Sequence, residues 1–253
     1  MEKINAVVLA GSSDKVFGVS CKALTFIHGR PMVDYVLDAL KESRRIGQIS
    51  IVGPVEQLQN KLENEVDYYF EEKGSLFENL RMGLKPFLQD PHVLLVSSDV
   101  PLITGQIVDE FLARCEEHPS DLCYPIVEKR LMEKVFPGAE RTYVKLKEGS
   151  FTGGNIICLN PRVLDICEDF TKKAIEFRKK PWKTGKLLGI KFLAMLLMGM
   201  LTIPKIEERF CEILNVKGVA ILSEHPELAN DVDKPSDLKM AERYLAERIF
   251  SVS

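Results

Sequence analysis

The stretch from Ile4 to Leu24, INAVVLAGSSDKVFGVSCKAL, limits the fold more than any other. Ala6-Val7-Val8-Leu9-Ala10 is too short for a typical helix and rich in valine, so it reads as a buried strand. Gly11 ends it. A loop of small and polar residues follows, with Gly18 inside it and Lys22 at its end. Such a loop can bind phosphate: backbone N–H groups turn toward the anion, glycine lets the backbone approach, and lysine adds a point charge. An ordinary strand-to-helix connection has the same ingredients. The spacing is neither a Walker loop, GxxxxGK[ST], nor a GxGxxG fingerprint.

The next segments alternate strand with helix. Gly29 and Pro31 mark a turn, and Pro31 suits the first turn of a helix over Met32–Ser43. Val33, Val36, Leu37 and Leu40 fall on one face of it. Strands are expected at Gln48–Gly53 and Val66–Phe70, with a helix at Val55–Glu63 between them. That β-α-β-α-β order is the signature of a parallel sheet with helical crossovers. A helix carrying Leu76, Leu80 and Leu84 precedes a buried strand at His92–Ser97. Thr104–Glu116 and Pro161–Arg178 read as helices. Asp121–Glu128 (interrupted by Pro125), Arg141–Lys147, Ile156–Leu159 and Val216–Leu222 read as strands.

Three places offer chemistry. The strand to Ser97 ends in Ser98-Asp99-Val100-Pro101, and ligands gather at the carboxyl ends of parallel strands. Asp99 is either a magnesium ligand or a cap of the following turn. Gly153-Gly154-Asn155 precedes a strand, which suggests a bulge, a close backbone approach to a ligand, or a tight turn. Asp231 and Asp233 alternate around Val232, so in extended chain both carboxylates point the same way. A divalent cation would relieve their repulsion; a solvated acidic turn is the plain alternative. Pro235 and Asp237 suit the start of a last helix to about Phe250.

Composition narrows the class. A net charge of −3 gives no reason to expect nucleic acid. The six cysteines include no CxxC pair, so no zinc spacing is present, and reduced thiols in a cytoplasmic protein are the default expectation. The first strand begins almost at once, leaving no room for a signal peptide. The odd region is 179–214. Lys179–Lys186 is basic and holds the single tryptophan; Leu187–Ile203 is strongly apolar, interrupted by Lys191. As a helix that run rises only about 26 Å, short of a bilayer core of about 30 Å. Two helices burying Leu187, Leu188, Phe192, Leu196 and Leu197 on the sheet domain or on a second subunit are expected rather than a membrane span. An interfacial helix is the alternative.

Taken in order and spacing, these segments resemble the molybdenum-cofactor guanylyltransferase-like (MobA-like) NTP transferases. The family opens with a strand and LAGGxSxRMGxxK, matched by Leu9-Ala10-Gly11-Ser12-Ser13-Asp14-Lys15-Val16-Phe17-Gly18-Val19-Ser20-Cys21-Lys22. Its GkP turn matches Gly29-Arg30-Pro31, its aspartate before proline matches Asp99-Val100-Pro101, and its late D-x-D/N-x-P-x-D-L element matches Asp231–Leu238. Ser12 stands where the family has a second glycine, and Val16 where it has an arginine.

The resemblance implies a three-layer α/β/α sandwich with a mostly parallel mixed sheet, as one domain over 1–253 with a late helical insertion at about 179–214. It implies Mg²⁺-dependent transfer of an NMP group from an NTP to a phosphorylated small-molecule acceptor, releasing pyrophosphate. By resemblance, Lys22, Asp99 and Asp233 are catalytic, and Asp99, Asp233 and Asp231 hold the metal. Leu9, Ala10, Gly11, Ser12, Ser13, Lys15, Lys22, Gly74, Ser75, Asn79 and Ser98 bind the nucleotide. Gly153, Gly154 and Asn155 approach the acceptor. A monomer or homodimer is expected. Two rival expectations accompany this one: a nucleotide-binding chain without transfer activity, motivated by Val16, and a peripheral membrane enzyme with a lipid-linked acceptor, motivated by the insertion.

Overall fold

The structure, a computed structural model, describes residues 3–11, 17–62, 65–177 and 189–252. Its centre is β1 (Ile4–Leu9), which pairs in parallel with β4 (Ile46–Gly53) on one side and β6 (Val93–Ser97) on the other. Outside β4 lies β5 (Tyr68–Glu71), also parallel. The connections are helical: α1 (Met32–Glu42), α2 (Val55–Leu62) and α3 (Leu76–Leu84). Before α1, β2 (Phe26–Ile27) and β3 (Arg30–Pro31) form a separate hairpin, turned by His28 and Gly29 at φ 47° and 80°.

The β1 side chains alternate between two cores. Ala6 and Val8 face Val36, Leu37 and Leu40 of α1 together with Ile107 and Phe111 of α4 (Gly105–Glu117). Val7 faces Phe77, Leu80 and Leu84 of α3. Both sets are buried, so helices cover each face of the sheet, as an apolar run without polar alternation requires. The result is the expected three-layer α/β/α arrangement with a mixed central sheet.

Beyond β6 the sheet turns antiparallel. β10 (Ile156–Leu159) lies between β6 and the start of β7 (Leu122–Glu128), antiparallel to both. β9 (Ser150–Gly153) pairs with the end of β7 and with β8 (Val144–Lys145). β9 and β10 are one kinked strand. Ile126 faces Gly153 and Cys123 faces Cys158, so the segment through Gly154-Asn155 is longer than the β7 segment opposite: a bulge. β7 runs through Pro125 without a break, because Pro125 sits opposite this bulge, where the ladder is interrupted anyway. β11 (Gly218–Ser223) pairs in parallel on the other edge of β7.

Several expectations are corrected. Regular strand over Arg141–Lys147 shrinks to Val144–Lys145, because Arg141 turns inward instead of alternating with solvent. The helix expected over Pro161–Arg178 is two pieces, α6 (Arg162–Ile166) and α7 (Glu168–Phe177), broken at Cys167. The apolar run carries α8 (Ile190–Leu197) and then leaves the helix through Gly199 at φ 63°. It is followed by α9 (Ile203–Leu214). Phe192, Met195 and Leu196 pack with Ile203 and Ile206 onto Leu146 and Phe151 beside the β8–β9 hairpin. Leu197 is not buried as expected but 75% exposed, because it points away from that cluster. Leu187, Leu188 and the basic stretch Lys179–Lys186 lie outside the described residues. No helix among the described residues is long and apolar enough to cross a membrane. The chain ends in α10 (Pro235–Val252).

Candidate active site

The carboxyl ends of β1, β4 and β6 form one edge, and the candidate residues collect there. Leu9, Ala10 and Gly11 leave β1; the Ala10 N–H donates to Val52 O at 2.8 Å. Ser98 continues β6 and donates its N–H to Leu9 O at 3.1 Å, while the Ser97 N–H donates to Asn155 O at 3.1 Å. The loop that carries Asp99 is therefore tied to the strands on both sides. Ser12, Ser13, Lys15 and Val16 lie outside the described residues.

Lys22 opens a short 3₁₀ turn, Lys22–Leu24, and is only 8% exposed. Its Nζ donates to Asp99 Oδ2 at 2.6 Å and to Asp233 Oδ1 at 2.7 Å. Burial alone would pull the ammonium down; the charges and hydrogen bonds of Asp99 and Asp233 outweigh it and lift the group to about 12. Asp99 Oδ1 also accepts from Ser97 Oγ at 2.5 Å. Asp231 joins them: one carboxylate oxygen from each of Asp99, Asp231 and Asp233 lies within 4.8 Å of the others. Burial, then the charge of Asp99, raises Asp231 from the ordinary 3.8 to about 6, against the pull of Arg141. A cluster of hard oxygen donors of this size suits Mg²⁺ in its donor chemistry.

The late acidic turn has no strand or helix of its own between Asn230 and Lys234. The Val232 N–H donates to Asp99 O at 2.9 Å. Asp237, 3% exposed in the first turn of α10, accepts from the N–H groups of Asp233 at 3.1 Å and Lys234 at 3.2 Å. An acid reaching back to the residue before a helix is half of a capping box.

The remaining candidates are near but differently employed. The glycine pair at the bulge is explained by packing. A Cβ on Gly153 would fall 2.6 Å from Tyr124 Cζ, and one on Gly154 would fall 2.8 Å from Pro125 Cγ and 3.0 Å from Leu228 O. The Asn155 N–H is used by Leu228 O at 2.8 Å. Ser75 caps α3 by accepting from Glu78 N at 3.2 Å, and Asn79 Oδ1 accepts from Lys73 N at 2.6 Å. Gly74 precedes them with open space where a Cβ would be. All three follow β5, whose end joins the same edge through Glu72 N–H to Gly53 O at 3.2 Å.

Four neighbours were not expected from sequence. Arg141 lies against the late turn, Ser97 orients Asp99, and the Tyr124 ring covers Gly153. Burial, then the charge of Asp231, pushes the Tyr124 phenol up. The Glu72 carboxylate occupies the space where Gly11 has no Cβ. Burial, then Glu71, pushes Glu72 up. Ser97 stands two residues before Asp99; Arg141, Tyr124 and Glu72 reach the edge from other elements, so no local spacing announces those three.

The sequence model of the MobA-like NTP transferase domain matches residues 6–176. A solved structure described as a hypothetical transferase from Thermus thermophilus is 33% identical, with a TM-score of 0.81 over 93% of this chain and 99% of that one. A probable molybdenum cofactor guanylyltransferase of Thermococcus kodakarensis is 27% identical over 123 residues, which is 47% of this chain and 57% of that protein. The bifunctional protein GlmU of Brevibacillus brevis is 31% identical over 121 residues, 46% of this chain and 26% of that protein. The chain thus spans little more than half of the first of these curated relatives and a quarter of the second. A CTP complex of CMP:2-keto-3-deoxy-manno-octonic acid synthetase shares the fold, with a TM-score of 0.61 at 12% identity. The chain belongs to the MobA-like NTP transferase family, which is of nucleotidyltransferase type.

Proposed function

We propose that this chain transfers a nucleotidyl group from an NTP to a phosphorylated small-molecule acceptor. An oxygen of the acceptor phosphate forms a bond to the α-phosphorus, the bond from that phosphorus to the β-phosphate bridging oxygen breaks, and pyrophosphate leaves. The acceptor oxygen is already anionic, so no strong general base is required. The work left is positioning and neutralisation of charge.

The observation that carries this reading is the convergence of Asp99 and Asp233 on buried Lys22 beside the end of β1, with Asp231 next to them, in a chain of this family. Asp99 and Asp233 are the residues that would hold Mg²⁺, which supplies charge neutralisation between the phosphates when bound. Lys22 already faces both carboxylates, and its charge persists through neutral pH, so it is available to phosphate oxygens that enter the same space. Gly11 lies at the end of β1, where its missing Cβ leaves room for the Glu72 carboxylate. Gly74, Ser75 and Asn79 border the same edge and fit the nucleoside end; the bulge at Gly153–Asn155 lies across β6 from them and fits the acceptor side.

The test is a thermal-shift screen of the four common NTPs with Mg²⁺, followed by pyrophosphate release with pooled sugar and alcohol phosphates. A stabilising NTP and acceptor-dependent pyrophosphate are expected. Pyrophosphate release at the same rate without any acceptor would instead mark hydrolysis and remove the transfer reading.

A further inference from the structure

We infer that Arg141 is a positioning residue for this site: it clamps the turn at 229–233 and so delivers Asp233 to Asp99. The inference rests on reading Asp99 and Asp233 as the catalytic pair, but the clamp itself stands on contacts independent of any ligand.

Arg141 lies on irregular chain between α5 (Lys129–Val135) and β8, yet its side chain is only 8% exposed. The guanidinium is spent almost wholly on the turn. Nε donates to Ala229 O at 2.9 Å, and Nη2 donates to Asp231 O at 2.9 Å and to Asn230 Oδ1. Nη1 donates to Glu140 O at 3.0 Å, holding the arginine's own backbone in place. Two carboxylates complete the ring of contacts, Asp231 Oδ1 at 3.5 Å and Asp237 Oδ1 at 3.8 Å. A planar fork with five fixed donors can bind the carbonyls of Ala229 and Asp231 and the side-chain oxygen of Asn230 at once; a lysine ammonium on a flexible stem cannot reproduce that geometry.

The turn needs such a clamp. It leaves the 3₁₀ turn Pro226–Ala229 through the Asn230 N–H to Glu227 O at 3.3 Å, has no regular structure from Asn230 to Lys234, and meets the Asp99 loop through the Val232 N–H to Asp99 O at 2.9 Å. Arg141 supplies donors to the carbonyls of buried Ala229 and of Asp231. The cations also divide the acids: Lys22 bonds Asp99 and Asp233, while Arg141 faces Asp231 and Asp237. Arg141 thereby compensates Asp231 and leaves the Asp99–Asp233 pair to Lys22 and whatever binds there. A family model ending at residue 176 includes Arg141 but not the turn it holds.

Arg141→Met and Arg141→Lys test this by amide hydrogen exchange on the full chain and by Mn²⁺ binding with NTP present. In Arg141→Met the amides of Val232, Asp233 and Lys234 should exchange at least about tenfold faster while those of β1 and β6 keep their rates. Mn²⁺ affinity should fall by about 10-fold or more, as on loss of a group that orients a ligand. Arg141→Lys keeps the charge but lacks the fork, so it should stay closer to Arg141→Met than to the natural chain; it also carries the test if the methionine variant does not fold. The loss should persist in an Asp231→Asn background, because the carbonyl contacts do not use that carboxylate. Unchanged exchange at the three amides, equal acceleration across the whole chain, or full rescue by lysine would each overturn the clamp. No Mn²⁺ binding by the natural chain would remove the catalytic reading, while the exchange result still decides the clamp.

Discussion

Asp99 and Asp233 meet at one ammonium, but the chain delivers them by opposite means. Asp99 follows a strand that is hydrogen-bonded on both sides and buried along Val93–Val96. Its place is set by the sheet. Asp233 rides on a turn without regular structure, held by the side chains of Arg141 and Asp237 and one backbone bond. The Asp233 side chain is 43% exposed, against 15% for Asp99. One half of the site is fixed by secondary structure and the other by polar side chains, so they should respond differently to mutation.

The largest effect is expected at the acids themselves. Asp99→Asn should lower pyrophosphate release by about 10³-fold, the order found when a charge-stabilising group is removed. Asp233→Asn should lose about 10²-fold, because its neighbour Asp231 remains within reach and the turn is less rigidly fixed. Steady-state rates with a saturating NTP measure both. Equal losses would erase the distinction between the two halves.

Lys22→Met comes next. It removes the cation shared by both acids, so NTP affinity should weaken about tenfold or more at low salt and by somewhat less at high salt, where the phosphate charges of the NTP in solution are screened. Titration calorimetry at two ionic strengths reads the difference. Unchanged affinity would make Lys22 a structural bridge between the halves and nothing more.

Asp237→Ala sharpens the comparison from the flexible side. It removes the acceptor for the Asp233 and Lys234 amides and should cost about 1 kcal/mol of stability, as the loss of a helix cap does. Urea unfolding and turnover measured together should show activity falling more than the small stability loss explains.

A pH-dependent effect, on stability rather than turnover, is expected at Asp231. Its folded value, about 6, lies above the ordinary 3.8, so the folded chain holds that proton more tightly than the unfolded chain. Stability from this group is therefore present at low pH and is lost as pH rises from about 4 through about 6. Asp231→Asn, which cannot ionise, should melt higher than the natural chain above about pH 6 and lose that advantage below about pH 4. A lower melting temperature at all pH values would mean that the ion pair with Arg141 outweighs the burial of the charge.

Local rules made much of this molecule legible. A valine-rich run ended by Gly11 gave β1, an apolar run ended by Ser98-Asp99-Val100-Pro101 gave β6, the helical period of α1 gave its buried face, and the Gly-Gly-Asn segment marked the bulge between β9 and β10. These features depend on residues a few positions apart, so spacing is enough to find them. The boundaries that failed did so where tertiary packing overrode a local pattern. RTYVKLK alternates, yet Arg141 is drawn inward by carbonyls some 90 positions later. Leu197 is as apolar as its neighbours, yet it faces outward because α8 offers only one face to Leu146 and Phe151.

The candidate acids were visible singly as an aspartate before proline and a late pair, but taken alone each read better as a cap or a solvated turn. Spacing cannot bring Lys22 to an acid 211 positions away. That pairing exists because parallel strands put their carboxyl ends on one edge, and because Arg141 and Asp237 pin the last turn against it. The sequence by itself determined the strands, the helices and the chemical types available at their ends. Only the tertiary structure decided which charges are buried together, since the energy of a buried pair depends on distance and dielectric, and neither is a property of neighbouring residues in the chain.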